Sequence, residues 1–231
     1  MGPVKLDARL TLFVTLVATS MVCLVVGNLI GGKLTSFELF GREWVTSAGN
    51  LAFPITFVLT DILNEFYGRE VVRRVTLISF AMGGLMILVI GAADALPWYP
   101  TATRSDWGAM NPEAFQRVFT QATRIQLASM AAFLIGTLID IWIFFMLKRM
   151  TGDRALWLRA TGSTVVSQLV DTVVVTALAF YEHLTADQYI TAVTSGYVIK
   201  LCIAIAITPL LYALHALLEN TFKIHPAPPA T

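Results

Sequence analysis

Long uncharged stretches alternate with short polar ones along this chain. Leu10 to Ile30 carries no charged residue, and neither does Val75 to Ala93. Ile125 to Leu147 carries only Asp140, Ala160 to Tyr181 only Asp171, and Tyr189 to Leu218 only Lys200. A helix needs ~20 apolar residues to cross the hydrocarbon of a bilayer, so each stretch predicts a transmembrane helix. A sixth run, Ser47 to Tyr67, is less clean and holds Pro54, Asp61, Asn64 and Glu65. It still reads as a span, because Gly68 follows it as a C-cap and its neighbours need a crossing there. The expected fold is all-α: a polytopic membrane protein of six transmembrane helices over residues 10–218. Residues 1–9 form a cytoplasmic leader and residues 219–231 a cytoplasmic tail, with Pro226 onward expected to be disordered. The first span is too long for a signal-peptide core and more spans follow, so it reads as an uncleaved anchor.

Basic residues set the orientation. With both termini inside, the cytoplasmic segments hold Lys5, Arg9, Arg69, Arg73, Arg74, Lys148, Arg149, Arg154, Arg159 and Lys223, ten of the sixteen Lys and Arg. The opposite side holds four: Lys33, Arg42, Arg104 and Arg117. The one long outer loop, Asp94 to Arg117, carries Pro97-Trp98-Tyr99-Pro100 and Trp107, aromatic residues that suit a membrane interface. Asn111-Pro112-Glu113 reads as an N-cap, a first-turn proline and an early acid, so a helix starts there. Run on to Lys148, that helix would be ~57 Å long. Its first turns therefore lie outside the ~30 Å hydrocarbon, or it bends.

Composition excludes other classes. Of 231 residues 56% are hydrophobic and 13% charged, roughly half the charged share of a soluble domain. Mean hydropathy is +0.71. The net charge of +1 supplies no basic field for nucleic acid. Cys23 and Cys202 sit inside apolar runs and imply no disulfide framework. The chemistry implies no cofactor or metal.

Ionisable groups at bilayer depth are costly and face a bundle interior or a cavity, so they carry the functional signal. Asp171 lies ~16 Å from the cytoplasmic end of its helix and Lys200 ~18 Å from the outer end of the next, which makes them partners near the midplane. Asp61 and Asp140 are shallower, ~9 and ~12 Å from the cytoplasmic side. By helical phase, Asp61 and Glu65 point the same way with Asn64 beside them, and Thr164, Ser167, Gln168 and Asp171 form one polar stripe. Thr11, Thr15 and Thr19 form another on the first helix, with Asn28 later. Arg124 and Asp140 are 160° out of phase and ~24 Å apart along one helix, so they cannot share a site. Plainer readings stand beside these. Asp171 with Lys200 also reads as a charge pair that lets both be buried. Asp61 and Glu65 also read as partners of Arg69, Arg73 and Arg74 at the membrane edge, and the threonines as packing residues. Gly31-Gly32 and Pro54 either end and kink helices or break them around a substrate.

Two segments carry a resemblance: Asn28-Leu-Ile-Gly-Gly-Lys33, and Phe53-Pro-Ile-Thr-Phe-Val-Leu-Thr-Asp-Ile-Leu-Asn-Glu-Phe-Tyr-Gly68. Ser167-Gln-Leu-Val-Asp-Thr172 and Lys200 ahead of Thr208-Pro209 add to it. From about Leu10 to Leu218 the chain resembles the queuosine precursor transporters, also called vitamin uptake transporters. The resemblance implies a six-helix importer in the cell inner membrane for a 7-deazapurine base, such as 7-cyano-7-deazaguanine, and no enzyme. The edge of such a base offers an N–H and an amino group side by side, which one carboxylate accepts together, while an amide satisfies its carbonyl. Asp171 and Gln168 supply that combination on one helix face. Lys200 or Arg124 would balance charge, and Asp61, Asn64 and Glu65 would form an inner gate or a proton site. With Asn28 and Asp140 these are the candidate site residues. The expected partners are the small-molecule base and membrane lipid, with a homo-oligomer left open.

The alternative is the substrate-capture subunit of an energy-coupling-factor vitamin importer. Such subunits dock through an Ala-x-x-x-Ala face on the first helix. Here Ala8 is followed at i+4 by Leu12 and Ala18 by Val22, so that face is missing. An intramembrane zinc protease needs clustered histidines, and His183, His215 and His225 are scattered.

Overall fold

A computed structural model describes residues 7–39, 41–103, 110–120, 123–152, 154–180 and 184–227. Arg104, Trp107, His183, residues 228–231 and the side chain of Arg124 lie outside the described residues. The chain is a multi-pass helical membrane protein. Five helices are long and apolar enough to cross a bilayer: α1 (Ala8–Ile30), α3 (Arg69–Asp94), α5 (Thr123–Thr151), α6 (Leu156–Phe180) and α7 (Ala186–Asn220). Large apolar side chains such as Leu88, Val89 and Ile190 stand exposed on them, as lipid-facing residues do. Asp7 caps α1, Thr185 and Gln188 form a capping box on α7, and Asn111 caps the short α4 (Pro112–Phe115). The start expected at Asn111 is therefore present. A π-helical turn, Gln116–Thr120, separates α4 from α5.

The run expected as a sixth span divides in two. A 3-10 helix, Ala48–Ala52, leads into α2 (Phe53–Tyr67), where Pro54 occupies the first turn. At 15 residues α2 is ~22 Å long, shorter than the hydrocarbon is thick. It is also the most enclosed helix. Nine of its residues are buried, among them Phe57, Ile62, Leu63 and Phe66 in the main hydrophobic cluster. α1, α3 and α7 pack around it. Gly68 ends it with φ +79°, a conformation that a side chain would strain, and α3 starts at the next residue.

One element went unread. Strands β1 (Leu34–Leu39) and β2 (Arg42–Ser47) form an antiparallel hairpin, in register from Leu34 opposite Ser47 to Leu39 opposite Arg42. Gly41 turns it at φ +71°. Ser47 then ties the hairpin to α1: its Oγ donates to the Gly31 carbonyl at 2.6 Å and accepts from the Gly49 N–H at 3.1 Å.

This junction requires a glycine. A Cβ on Gly49 would sit 2.7 Å from the Gly27 carbonyl oxygen and 3.2 Å from the Gly31 Cα, both backbone atoms. Gly49→Ala should therefore cost about 1–3 kcal/mol of stability, the usual cost of overpacking. A thermal-shift assay in detergent should show a lower Tm, whereas Gly32→Ala, with open space around it, should not.

Candidate functional site

The helix ends that carry the excess of basic residues meet at one end of the bundle. Arg9 near the start of α1 donates to the Phe66 carbonyl at 2.8 Å, and the Tyr67 hydroxyl donates to the Arg9 carbonyl at 2.7 Å. The Ala227 N–H of the tail donates to the Glu65 carbonyl at 2.8 Å. Glu65 Oε1 lies 3.2 Å from Lys148 Nζ and 3.0 Å from Arg159 Nη2, so α2, α5 and α6 are joined by ions. All three side chains are buried to 2% exposure or less. The expectation that Asp61 and Glu65 pair with Arg69, Arg73 and Arg74 is corrected here. Glu65 pairs with Lys148 and Arg159, while Arg73 and Arg74 are exposed. Cations brought in by neighbouring helices neutralise a buried acid better than solvated ones on the next turn.

One turn deeper, Asp140 on α5 is held by two donors. Asn64 Nδ2 reaches its Oδ2 at 3.4 Å and Ser167 Oγ its Oδ1 at 3.1 Å. Asp61, one turn before Asn64, is 1% exposed, and its Oδ2 has no hydrogen-bond partner. The Asn64 Oδ1 is also unpartnered. Near mid-depth, Lys200 Nζ donates to Asp171 Oδ2 at 2.7 Å, and the ammonium lies 5.8 Å from the Phe53 ring centre. The pairing expected from depth alone is therefore made. At the far end, Ser129 Oγ donates to Asn28 Oδ1 at 2.6 Å, and Asn28 Nδ2 is left without a partner.

A cavity of about 660 Å³ connects these levels. Its lining includes Asn28, Asp61, Asp140, Gln168, Asp171 and Lys200, six of the nine expected site residues. Asn64 and Glu65 do not line it. Asn64 stands behind, bonded to Asp140, and Glu65 is enclosed in its ion triad. The shared face expected for Asp61 and Glu65 thus divides between a cavity wall and a buried lock. The lining continues up to the hairpin at Leu34 and Val45 and to Gln188 at the start of α7.

The family model described as "Putative vitamin uptake transporter" matches residues 47–214. The chain belongs to that family. Among curated relatives, this vitamin uptake transporter family member is 33% identical to the "Probable queuosine precursor transporter" of Bacillus subtilis, over 79% of this chain and 76% of that protein. It is 24% identical to the "Queuosine precursor transporter" of Escherichia coli, over 69% of this chain and 68% of the relative. The Haemophilus influenzae "Probable queuosine precursor transporter" is 26% identical over 61% of this chain and 54% of its own length. No solved structure matches the chain.

In this family member the sequence reading missed several cavity residues. Thr56, Thr60, Thr137 and Thr172 all line the space, and Thr172 Oγ1 is buried without a partner. Single hydroxyls in apolar helices look like packing residues, so nothing in the sequence sets these apart. Gly136 also went unread. A Cβ there would lie 3.1 Å from the Asp171 Cβ, so its absence lets α5 and α6 close around the acid.

Proposed function

We propose that this protein imports a queuosine precursor, 7-cyano-7-deazaguanine or a related 7-deazapurine base, across the cell inner membrane by secondary transport. The observation that carries this reading is the cavity of about 660 Å³ with the largely buried Asp171–Lys200 pair on its wall. Its size falls in the range of small-molecule sites, about 300–1,000 Å³. Asp171 spends one oxygen on Lys200 and can still accept from a base edge. Gln168, one turn away on α6, lines the same space and can serve the base carbonyl. Lys200 balances the charge. The Phe53 and Phe57 rings on the lining offer flat apolar walls. The relatives' names point to a queuosine precursor as cargo.

Six crossings with both termini cytoplasmic fit the same reading. The 3-10 segment and α2 run beside α1 from the Gly27–Gly49 contact to the Arg9–Phe66 contact. Along α1 that distance is about 27 Å, close to the hydrocarbon thickness. The basic excess sits at the Arg9 end. The protein performs no chemistry on its cargo and acts as a carrier.

Proteoliposomes holding the purified protein provide the test. Labelled 7-cyano-7-deazaguanine should enter them, and unlabelled 7-deazapurines should compete. Equal competition by unrelated heterocyclic vitamins would overturn the choice of cargo.

A further inference from the structure

Three acids and two cations are buried together in the Arg9-side half of the bundle: Glu65, Asp61 and Asp140 against Lys148 and Arg159. With every group ionised the set carries one uncompensated negative charge. The Asp171–Lys200 pair on α6 and α7 is neutral by itself; α7 also brings His215, packed on Phe66 of α2 and facing Glu219, and Asp187, exposed at the start of the helix. α1 and α3 contribute only neutral polar groups to the cavity wall, such as Asn28, Thr76 and Ser79. An unbalanced charge in a low-dielectric interior is expensive, and a single proton removes it.

Hydrogen bonding indicates where that proton sits. Glu65 is matched by two cations, both on its Oε1; its Oε2 has no hydrogen-bond partner, but the acid's charge is compensated. Asp140 receives hydrogen bonds on both oxygens, which suits a carboxylate. Asp61 receives none on its Oδ2, although it is 1% exposed and lines the cavity. One helical turn away, Asn64 presents a second buried acceptor without a donor, its Oδ1. Residues three apart on a helix are side-chain neighbours. Two unmatched acceptors side by side lack one hydrogen.

We propose that Asp61, flanked by Asn64 and Asp140, is a proton-binding site that couples import to the proton gradient. This rests on the transport reading above. The proton comes from the solution that fills the cavity and adds to an oxygen of the Asp61 carboxylate. It leaves from the same atom to the other side once the cavity opens there, and no bond of the cargo changes. A sodium ion is disfavoured, because it needs several oxygens. Among the described residues, the unpartnered buried acceptors of α2 are Asp61 Oδ2, Asn64 Oδ1 and Glu65 Oε2; of these three residues Asp61 alone lines the cavity, Glu65 is held in its ion triad, and α2 keeps its backbone carbonyls in a regular helix.

Two measurements separate this inference from the choice of cargo. In potential-clamped proteoliposomes, an inward gradient of one pH unit should raise the steady-state accumulation of 7-cyano-7-deazaguanine by up to about tenfold, the equivalent of 1.4 kcal/mol. A protonophore should abolish the rise. The ratio of uptake with and without the gradient should fall to about one in Asp61→Asn. Wild-type uptake that ignores the pH gradient, or follows a sodium gradient at fixed pH, would overturn the proton site and leave the cargo standing. Infrared spectroscopy of the purified protein at neutral pH needs no cargo. A protonated-carboxyl band present in the wild type and lost in Asp61→Asn supports the site even if no deazapurine is carried, and its absence from the wild type overturns it.

Discussion

Asp171→Asn should lower uptake of the deazapurine by about two orders of magnitude while the protein still reaches the membrane. A hydrogen bond to a charged group contributes about 1.5–3 kcal/mol, and the base edge offers the carboxylate two donors. Asparagine keeps the shape of the side chain but puts an N–H where one donor must bind. A second cause could produce the same loss: Lys200, whose side chain is 8% exposed, would be left without its counterion. The double variant Asp171→Asn with Lys200→Met separates the two. If Asp171 reads the base, the double variant stays inactive, although no charge is stranded. If Asp171 only neutralises Lys200, the double variant regains uptake and the base-reading role fails. Membrane abundance, measured in parallel, keeps either result from being a folding effect.

Glu65→Gln should be the most damaging single change to stability. It removes the acid between Lys148 and Arg159, whose side chains are 0% and 1% exposed. Breaking a buried pair costs about 3–5 kcal/mol because a charge is left uncompensated. Total stabilities are only about 5–15 kcal/mol. The expected result is a sharp drop in membrane abundance and a large fall in Tm in detergent. Part of the penalty should be recovered by adding Lys148→Met, which leaves Arg159 with its bonds to the Gly152 and Arg154 carbonyls and its place over the Phe144 ring. A Glu65→Gln protein as stable as the wild type would show that the triad holds nothing together.

The spans and the Asp171–Lys200 pair were legible for one reason. A bilayer imposes a length and makes every buried charge conspicuous, so residue counting places ions by depth. Two helices only five residues apart in sequence then bring equal depths together, and Lys200 meets Asp171 from 29 positions away. Glu65 was misread because the same counting suggests the basic residues of the following turn. Its true partners lie 83 and 94 positions away and arrive with the packing of α5 and α6. The hairpin escaped because six-residue strands carry too little alternation to stand out beside 20-residue apolar runs. The run Ser47 to Tyr67 was read as one helix with Pro54 as a place to kink or break it, but its division into a 3-10 segment and the 15-residue α2, and the enclosure of α2 by α1, α3 and α7, were not visible.

Which five long apolar helices exist and which family the chain resembles were determined by the sequence alone, because hydrocarbon thickness and helical rise fix the length of run a crossing needs. Which acids are spent and which are free was decided only by the tertiary structure. Glu65, Asp140, Asp171 and Asp61 differ little as residues in apolar helices. They differ in what distant helices bring to them: two cations, two neutral donors, one lysine, and for Asp61 a place on the cavity wall with no partner on its Oδ2. Charge compensation inside a membrane depends on contacts of a few ångströms, and those are set by how the helices pack.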